Sequence, residues 1–286
     1  MDDVRIRYVA LMVLLLLSQR ISAQVTYERS DSVTVCRLLQ QAPKDAGTLW
    51  FARRFLGVPY VAHTLEVNST EQLVVNTRQM DCITLVETVM SLAWCKKQGK
   101  CSWEDYLSTL RLLRYRQGKV DGYASRLHYF SDWIDDNEAL QLVKEIQKPN
   151  PPFTKVQHIS LSYMSEHPQA YKALRTQPAL VDIISQQERA LTGQQRWYIP
   201  KAAVRNSKVL RQTIHDGDII AITCNKKGLD IAHLGFAVWH HDGLHLLNAS
   251  QLRKRVVEEP MTLRRYLQKH PSHTGIRVIR MNKNNK

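Results

Sequence analysis

Between Ser30 and Gly57 apolar residues return every three or four positions: Val35, Leu38 and Leu39, then Leu49, Trp50, Phe51, Phe55 and Leu56. That period predicts one or two amphipathic helices, stopped at Gly57 and Pro59. From Tyr60 to Met80 it is lost, and only Leu73-Val74-Val75 offers a strand-like core within a loop. It returns from Asp81 to Trp94, where Leu85, Val86, Val89, Leu92 and Ala93 mark the clearest helix of the chain. Helices are also expected over Trp103–Gln117 and Tyr129–Ile146, the latter running into Pro149, Asn150, Pro151 and Pro152, through which no helix continues. Pro178 to Leu191 predicts one more, with Gly193 after it.

The texture then changes. Asp218–Thr223, His233–Trp239, Leu244–Ala249 and Ile276–Ile279 are short apolar runs, with Asp216-Gly217 and Asp242-Gly243 as hairpin-like punctuation. A helical first half followed by an antiparallel second half predicts an α+β architecture. The chain shows no internal repeat and no low-complexity tract.

The longest apolar run, Tyr8 to Leu17, has Arg5 and Arg7 before it and Ile21-Ser22-Ala23 after it. Its charged, apolar and small-residue parts match a secretory signal, with cleavage expected after Ala23. About ten residues fall short of the roughly 20 that span a bilayer, so the remaining chain is expected to be exported to the periplasm without stable membrane insertion. The first cysteine after the run is Cys36, too distant for lipoprotein processing.

Composition narrows the picture further. The 286 residues are 44% hydrophobic, an ordinary globular balance, and 11 Gly with 10 Pro exclude a collagen-like or low-complexity scaffold. Forty Lys+Arg against 26 Asp+Glu give a formal charge of +14. Outside the cytoplasm such a charge favours acidic glycans, peptide carboxylates or lipid head groups. Its short clusters, Arg253-Lys254-Arg255 and Arg264-Arg265, accompany no reader motif, so nucleic acid is not expected as a partner.

Five cysteines, Cys36, Cys82, Cys95, Cys101 and Cys224, are an odd number, so at least one thiol must stay unpaired within the chain. Cys95 and Cys101 are near enough in sequence to bridge a helix end. Cys82 sits in the first turn of the clearest helix, behind Asp81 as the expected N-cap. Unpaired backbone N–H groups and the helix dipole there favour a thiolate, while an Asp81 charge aimed at the sulfur opposes it. A nucleophilic thiol needs a histidine partner. His233 stands at the mouth of an apolar strand, and after Asp242-Gly243 the returning strand carries Asn248, which a strand pair can set beside His233 to orient its ring. Each residue also has a plain reading: a buried small hydrophobe for Cys82, an edge residue for His233 and a strand-end residue for Asn248.

Gly57-Val58-Pro59-Tyr60, Asp81-Cys82, Ala232-His233-Leu234-Gly235-Phe236-Ala237-Val238 and Asn248-Ala249-Ser250, in this order, resemble the motifs of the NlpC-type papain-like cell-wall cysteine peptidases. Met80 to Thr84 and Tyr123 to Trp133 make the chain most similar to the N-acetylmuramoyl-L-alanine amidase-like branch. The resemblance implies a papain-like α+β fold over 24–286, with the nucleophile helix packed on an antiparallel sheet and a long helical connection at about 100–210. It implies Cys82 as nucleophile, His233 as general base and acid, Asn248 as the third polar residue and Tyr60 as an oxyanion aid. No cofactor is implied, and the substrate implied is a muropeptide, including anhydro-muropeptide fragments. Ile83-Thr84 stands where relatives that cut between D-glutamyl and diamino-acid residues have Ser-Gly, which favours the amidase branch.

About 150 residues separate Cys82 from His233, room for substrate-selective elements. Within them Arg126 is the candidate to clamp a substrate carboxylate, with His128 and Asp81 as further binding candidates; a structural Arg126 bonded to loop carbonyls is the alternative. His240, His241 and His245 lack a recognised ligand spacing, so no metal is expected. Asn68-Ser69-Thr70 and Asn248-Ala249-Ser250 match glycosylation triplets that arise by chance, and Trp103, Trp133, Trp197 and Trp239 serve cores more often than sugars. Two rival functions stay open: a D-glutamyl peptide endopeptidase using the same site, and a non-catalytic muropeptide- or glycan-binding protein with Cys82 merely packed.

Overall fold

The structure, a computed structural model, describes residues 25–282, so the expected export segment over 1–23 lies outside the described residues. The described chain begins with β1 (Val25–Thr26), which pairs in parallel with β2 (Leu73–Val74). Between and after them come α1 (Arg29–Gln41), α2 (Thr48–Ala52), α3 (Cys82–Lys97), α4 (Trp103–Arg114) and α5 (Phe130–Ala139). Next follow β3 (Val143–Ile146), β4 (Lys155–His158), α6 (Tyr163–Glu166), α7 (Lys172–Thr176), α8 (Ala179–Leu191), β5 (Gln195–Pro200) and α9 (Lys208–Thr213). The strand-rich end is β6 (Ile219–Cys224), β7 (Ile231–Trp239), β8 (Leu244–Ser250), β9 (Arg255–Glu258), α10 (Leu263–Gln268) and β10 (His273–Met281).

Eight strands form one antiparallel sheet in the order β4-β5-β10-β6-β7-β8-β9, with β3 also paired to β10. One edge of β10 is shared: Gly275 and Ile276 meet β5, and Val278 to Met281 meet β3. Both faces of the sheet are covered. Ile219, Ala221, Leu234, Phe236, Val238, Leu247 and Ala249 pack with α3 and its helical neighbours. Ile220, Ile222, Ala237, Leu246, Ile276 and Val278 pack with Leu210, Ile214, Leu263 and Leu267 on the other side. A strand buried on both faces needs apolar residues at odd and even positions alike, which is why β6 reads as a nearly continuous apolar run.

The α+β expectation agrees with this mixture of helices and antiparallel sheet. Several boundaries differ. The helix expected to reach Ile146 ends at Ala139: Gln141 takes a left-handed φ of 58°, and the alternately buried Val143 and Glu145 then continue as β3. The connection expected to be helical therefore also contributes β3, β4 and β5 to the sheet. Asp216-Gly217 is not a hairpin turn; it leads into β6, where the Thr48 hydroxyl donates to the Gly217 carbonyl at 2.7 Å. With φ at +83° and Thr48 Oγ1 only 2.2 Å from where a Cβ would stand, glycine is required at 217.

The clearest predicted helix differs in kind from the expectation. Residues Thr84 to Ala93 of α3 are all buried, so the helix is enclosed rather than laid on a surface by one stripe. Enclosure traps Glu87, and Arg114 Nε meets its carboxylate at 2.6 Å while Nη1 donates to the Val74 carbonyl at 2.6 Å. A third apolar cluster, with Tyr123, Tyr129, Ile159, Leu161, Met164, Leu174 and Ile184, ties α6 to α8 to the segment before α5. None of the five cysteines is bridged: Cys95 is buried with its Sγ 3.2 Å from Thr109 Oγ1, whereas Cys101 is exposed.

The junction of β10, β3 and α5 hangs on Arg277, which is fully buried. Its Nη2 donates to Glu145 Oε2 at 3.1 Å and its Nη1 to Ser131 Oγ at 2.8 Å. Glu145→Ala leaves that guanidinium buried without a counter-charge, so a loss of roughly 3–5 kcal/mol is expected in denaturant unfolding. A loss below about 1 kcal/mol, the range of surface pairs, shows that the junction does not depend on this contact.

Candidate active site

The residues proposed from the sequence converge where α3 meets β7. Asp81 is the N-cap of α3, with Oδ1 accepting from the Thr84 N–H at 2.9 Å and from the Thr84 hydroxyl at 2.8 Å. Cys82 follows as the first helical residue and remains partly exposed. Just upstream, Pro59 and Tyr60 are stitched to Met80: the Met80 N–H donates to the Pro59 carbonyl at 3.0 Å and the Val61 N–H to the Met80 carbonyl at 3.1 Å. This bridge fixes Tyr60 beside the start of the helix.

His233 is held from the other side. Its Nε2 lies 2.9 Å from Asn248 Oδ1. An amide oxygen accepts only, so Nε2 carries the proton and Nδ1 keeps the lone pair; the tautomer is assigned from this bond. Phe236 is the register partner of Leu247, which brings Asn248 diagonally within reach of His233 across β7 and β8. A Cβ at Gly235 would stand 2.7 Å from the Leu247 carbonyl and 2.8 Å from the Leu246 side chain, so the close approach of these strands needs glycine there. Asn248 is fully buried, and Tyr266 of α10 stacks on the His233 ring with centroids 6.5 Å apart.

The electrostatics balance against a resting ion pair. Burial, followed by the Asp81 carboxylate, pushes the Cys82 thiol up to about 12, against the pull of the backbone amides of Leu234, Cys82 and Ile83. The dipole advantage of the helix start is therefore outweighed by burial and the Asp81 charge. Burial likewise holds the His233 imidazole below its ordinary range, although Asn248 and Glu259 oppose this. A thiol and a ring nitrogen with a free lone pair that line one cavity are suited to proton transfer during attack. Burial and the neighbouring Cys82 and Asp81 push the Tyr60 hydroxyl up to about 12, keeping it a hydrogen-bond donor.

Cys82, Asp81 and His233 line a cavity of about 320 Å³, whose far walls are Glu66, Tyr123, Arg126, His128, Tyr129 and Tyr171. The free carboxylate clamp expected of Arg126 is not what this wall presents. The guanidinium is 7% exposed, engaged by Glu66 at Nη2, 3.8 Å from Glu71 at Nε, and stacked over the Tyr123 ring. His128 is also committed, with Nε2 2.9 Å from the Tyr123 carbonyl, and burial with the Arg126 charge pushes it down to about 3. Both shape the wall as internal members of a network. Glu66, Glu71, Tyr171 and Tyr266 were not identifiable from sequence, since each lies in a stretch without a chemical motif.

Two of the three histidines in and after the β7–β8 turn are committed elsewhere: His240 Nε2 is 2.6 Å from Glu258, and His245 meets the Glu259 carbonyl and Asp242. Among the described residues no group of three or more His, Cys, Asp or Glu side chains has the geometry to hold a metal ion.

The family described as AmiA-like, N-acetylmuramoyl-L-alanine amidase-like, matches residues 50–276. No curated protein matches the chain. A solved structure named as an N-acetylmuramoyl-L-alanine amidase from Bacteroides uniformis is 41% identical with a TM-score of 0.77, over 82% of this chain and 97% of that one. A Bacteroides fragilis structure provisionally described as a xylanase is 42% identical with a TM-score of 0.75, over 80% of this chain and 99% of that one. A Legionella pneumophila protein shares the fold at 22% identity and a TM-score of 0.69, over 89% of this chain and 95% of that one.

Asp81 raises the thiol through its charge and caps the helix through its oxygen, and asparagine keeps only the second property. Asp81→Asn should lower the Cys82 pKa and speed its alkylation by iodoacetamide at pH 7 by about three- to tenfold, since each pKa unit is a tenfold change in thiolate. An unchanged or slower rate would show that the carboxylate does not act on the sulfur.

Proposed function

The chain belongs to the N-acetylmuramoyl-L-alanine amidase-like family, and from that premise we propose that it hydrolyses the amide joining the muramoyl lactyl group to L-alanine in peptidoglycan fragments through Cys82, His233 and Asn248. The observation that carries this reading is the hydrogen bond from His233 to Asn248, set in the same cavity wall as a thiol at a helix start. Residues 24–286 are read as one papain-like catalytic domain of the NlpC type. Within it, the 100–210 connection supplies the wall opposite the nucleophile.

Nδ1 of His233 takes the thiol proton as Cys82 Sγ bonds to the lactyl carbonyl carbon, and the carbonyl π electrons move to oxygen. The Cys82 backbone N–H and the Tyr60 hydroxyl stabilise that oxyanion. His233 then returns the proton to the alanyl nitrogen as the C–N bond breaks, leaving a thioester and a free amine. Water, deprotonated by the same ring, releases the muramoyl acid and restores the thiol. Asn248 holds the imidazole in the tautomer that both steps use. Every group in this scheme belongs to the chain, so no cofactor is called for.

The name of the Bacteroides fragilis relative points instead to a glycosidic bond. Glycoside hydrolysis generally works through two carboxyl groups flanking that bond. Here the cavity acids are committed: Glu66 to Arg126, Glu87 to Arg114, and Asp230 to the Ser131 N–H at 2.7 Å. This favours amide cleavage. Small, soluble anhydro-muropeptides suit a cavity of this size better than intact wall, and such a substrate is met in the periplasm. Among the described residues no helix is long and apolar enough to cross a membrane.

Incubation with defined muropeptides and mass spectrometry of the products tests the bond cleaved: release of a peptide beginning at L-alanine is expected. Cys82→Ala should abolish turnover in a folded protein, His233→Ala should cost at least ~10²-fold, and Asn248→Ala should cost less because it only orients the ring. Near-normal hydrolysis by Cys82→Ala would overturn the mechanism, and cleavage after D-glutamate would identify the endopeptidase.

A further inference from the structure

Resting on the amidase reading, we propose that the β8–β9 turn, with Lys254 and Arg255 at its end, is the surface that receives the acidic peptide half of the substrate. The turn is anchored to the site from two directions. The Tyr60 N–H donates to the Lys254 carbonyl at 3.0 Å, Pro59 bridges Arg255, and the Val256 N–H donates to the Val58 carbonyl at 2.7 Å. On the other side, β8 carries Asn248 two residues before it ends at Ser250 and enters the turn. The turn thus borders the oxyanion side of Cys82 and the end of the sheet that presents His233.

Two of its three charges are uncompensated. Arg253, Lys254 and Arg255 are consecutive and exposed, and Lys254 is held at a left-handed φ of 56°. Arg253 reaches the buried Glu259 at 3.7 Å, whereas Lys254 and Arg255 have no carboxylate within ion-pair distance among the described residues. The opposite wall of the site has the reverse sign. Of the acids that line the cavity, Glu66 and Glu87 are neutralised by Arg126 and Arg114, whereas Asp81 and Asp230 have no cationic partner among the described residues. A carboxylate entering that cavity meets like charges in a poorly screened space, while an uncharged sugar meets Tyr123, Tyr129 and Tyr171. A muramoyl peptide has its free carboxylates on the peptide. The field across Cys82 therefore orients the substrate with its sugar in the cavity and its peptide over Lys254 and Arg255.

Two substrates separate this arrangement from the amidase reading: a muramoyl-L-alanyl peptide with free carboxylates, and the same compound with those groups as carboxamides. For the Lys254→Ala/Arg255→Ala double variant, KM for the acid should rise about tenfold at unchanged kcat, with the carboxamide unaffected; Lys254→Glu/Arg255→Glu should raise it further. Added salt should raise the wild-type KM for the acid only. A thermal melt checks that these exposed substitutions leave the fold intact. An equal shift on both substrates, or none on either, overturns the orientation while leaving the amidase standing. Failure of the wild type to cleave either compound overturns the amidase reading and the orientation with it. Wild-type binding to anionic phospholipid vesicles that the double variant loses, without any change in KM, would assign the turn to a membrane surface and overturn the proposal.

Discussion

The enclosure of α3 is the constraint from which the rest of the molecule follows. A helix packed on every side cannot slide or tilt without opening a void, so its first residue is fixed as firmly as its middle. Enclosure also obliges the fold to satisfy Glu87, a carboxylate almost wholly buried. Arg114 does so through Nε, and its Nη1 reaches the Val74 carbonyl, which binds α4 and β2 to the same core. The Asp81–Thr84 cap closes the one end of the helix left open to the cavity. The sulfur of Cys82 is placed by these contacts before any substrate arrives.

The sheet performs the matching task for His233. Because both faces are covered, β7 and β8 are held at a spacing that lets Asn248 reach the imidazole, and Gly235 keeps that spacing free of a side chain. One partner is thus delivered by a helix end and the other by a strand pair. The two elements share a core through Leu234, Phe236 and Val238. The third apolar cluster then walls the cavity from the far side, using Tyr123 and Tyr129 both as its own core and as lining.

What could be read from the sequence depended on how local the signal was. The start of α3 was legible because Asp81, Cys82 and the apolar period lie side by side, and β7 and β8 because buried strands are almost purely apolar. β4 and β5 were not, since Lys155–His158 and Gln195–Pro200 are mostly part-exposed, show no clean alternation, and take their conformation from pairing with each other and with β10. β3 was absorbed into the preceding helix because four residues with two charges carry too little pattern. Arg126 illustrates the harder limit. Its motif marked it as special, but Glu66 and Glu71, which claim its charge, lie about 60 residues earlier in an aperiodic loop. Sequence spacing identifies a charged side chain without revealing which partner has already neutralised it.

The unbridged cysteines have a bearing on where the molecule can mature. A fold whose crosslinks are all hydrogen bonds, ion pairs and apolar contacts draws no stability from the redox potential around it, so its cohesion is the same in a reducing as in an oxidising compartment. Cys95, packed against Thr109, is withdrawn from thiol exchange by burial, so the partly exposed Cys82 is not set against a competing partner inside its own helix. Of the thiols that remain accessible, Cys82 alone lines the cavity, while Cys36 and Cys101 lie apart from it.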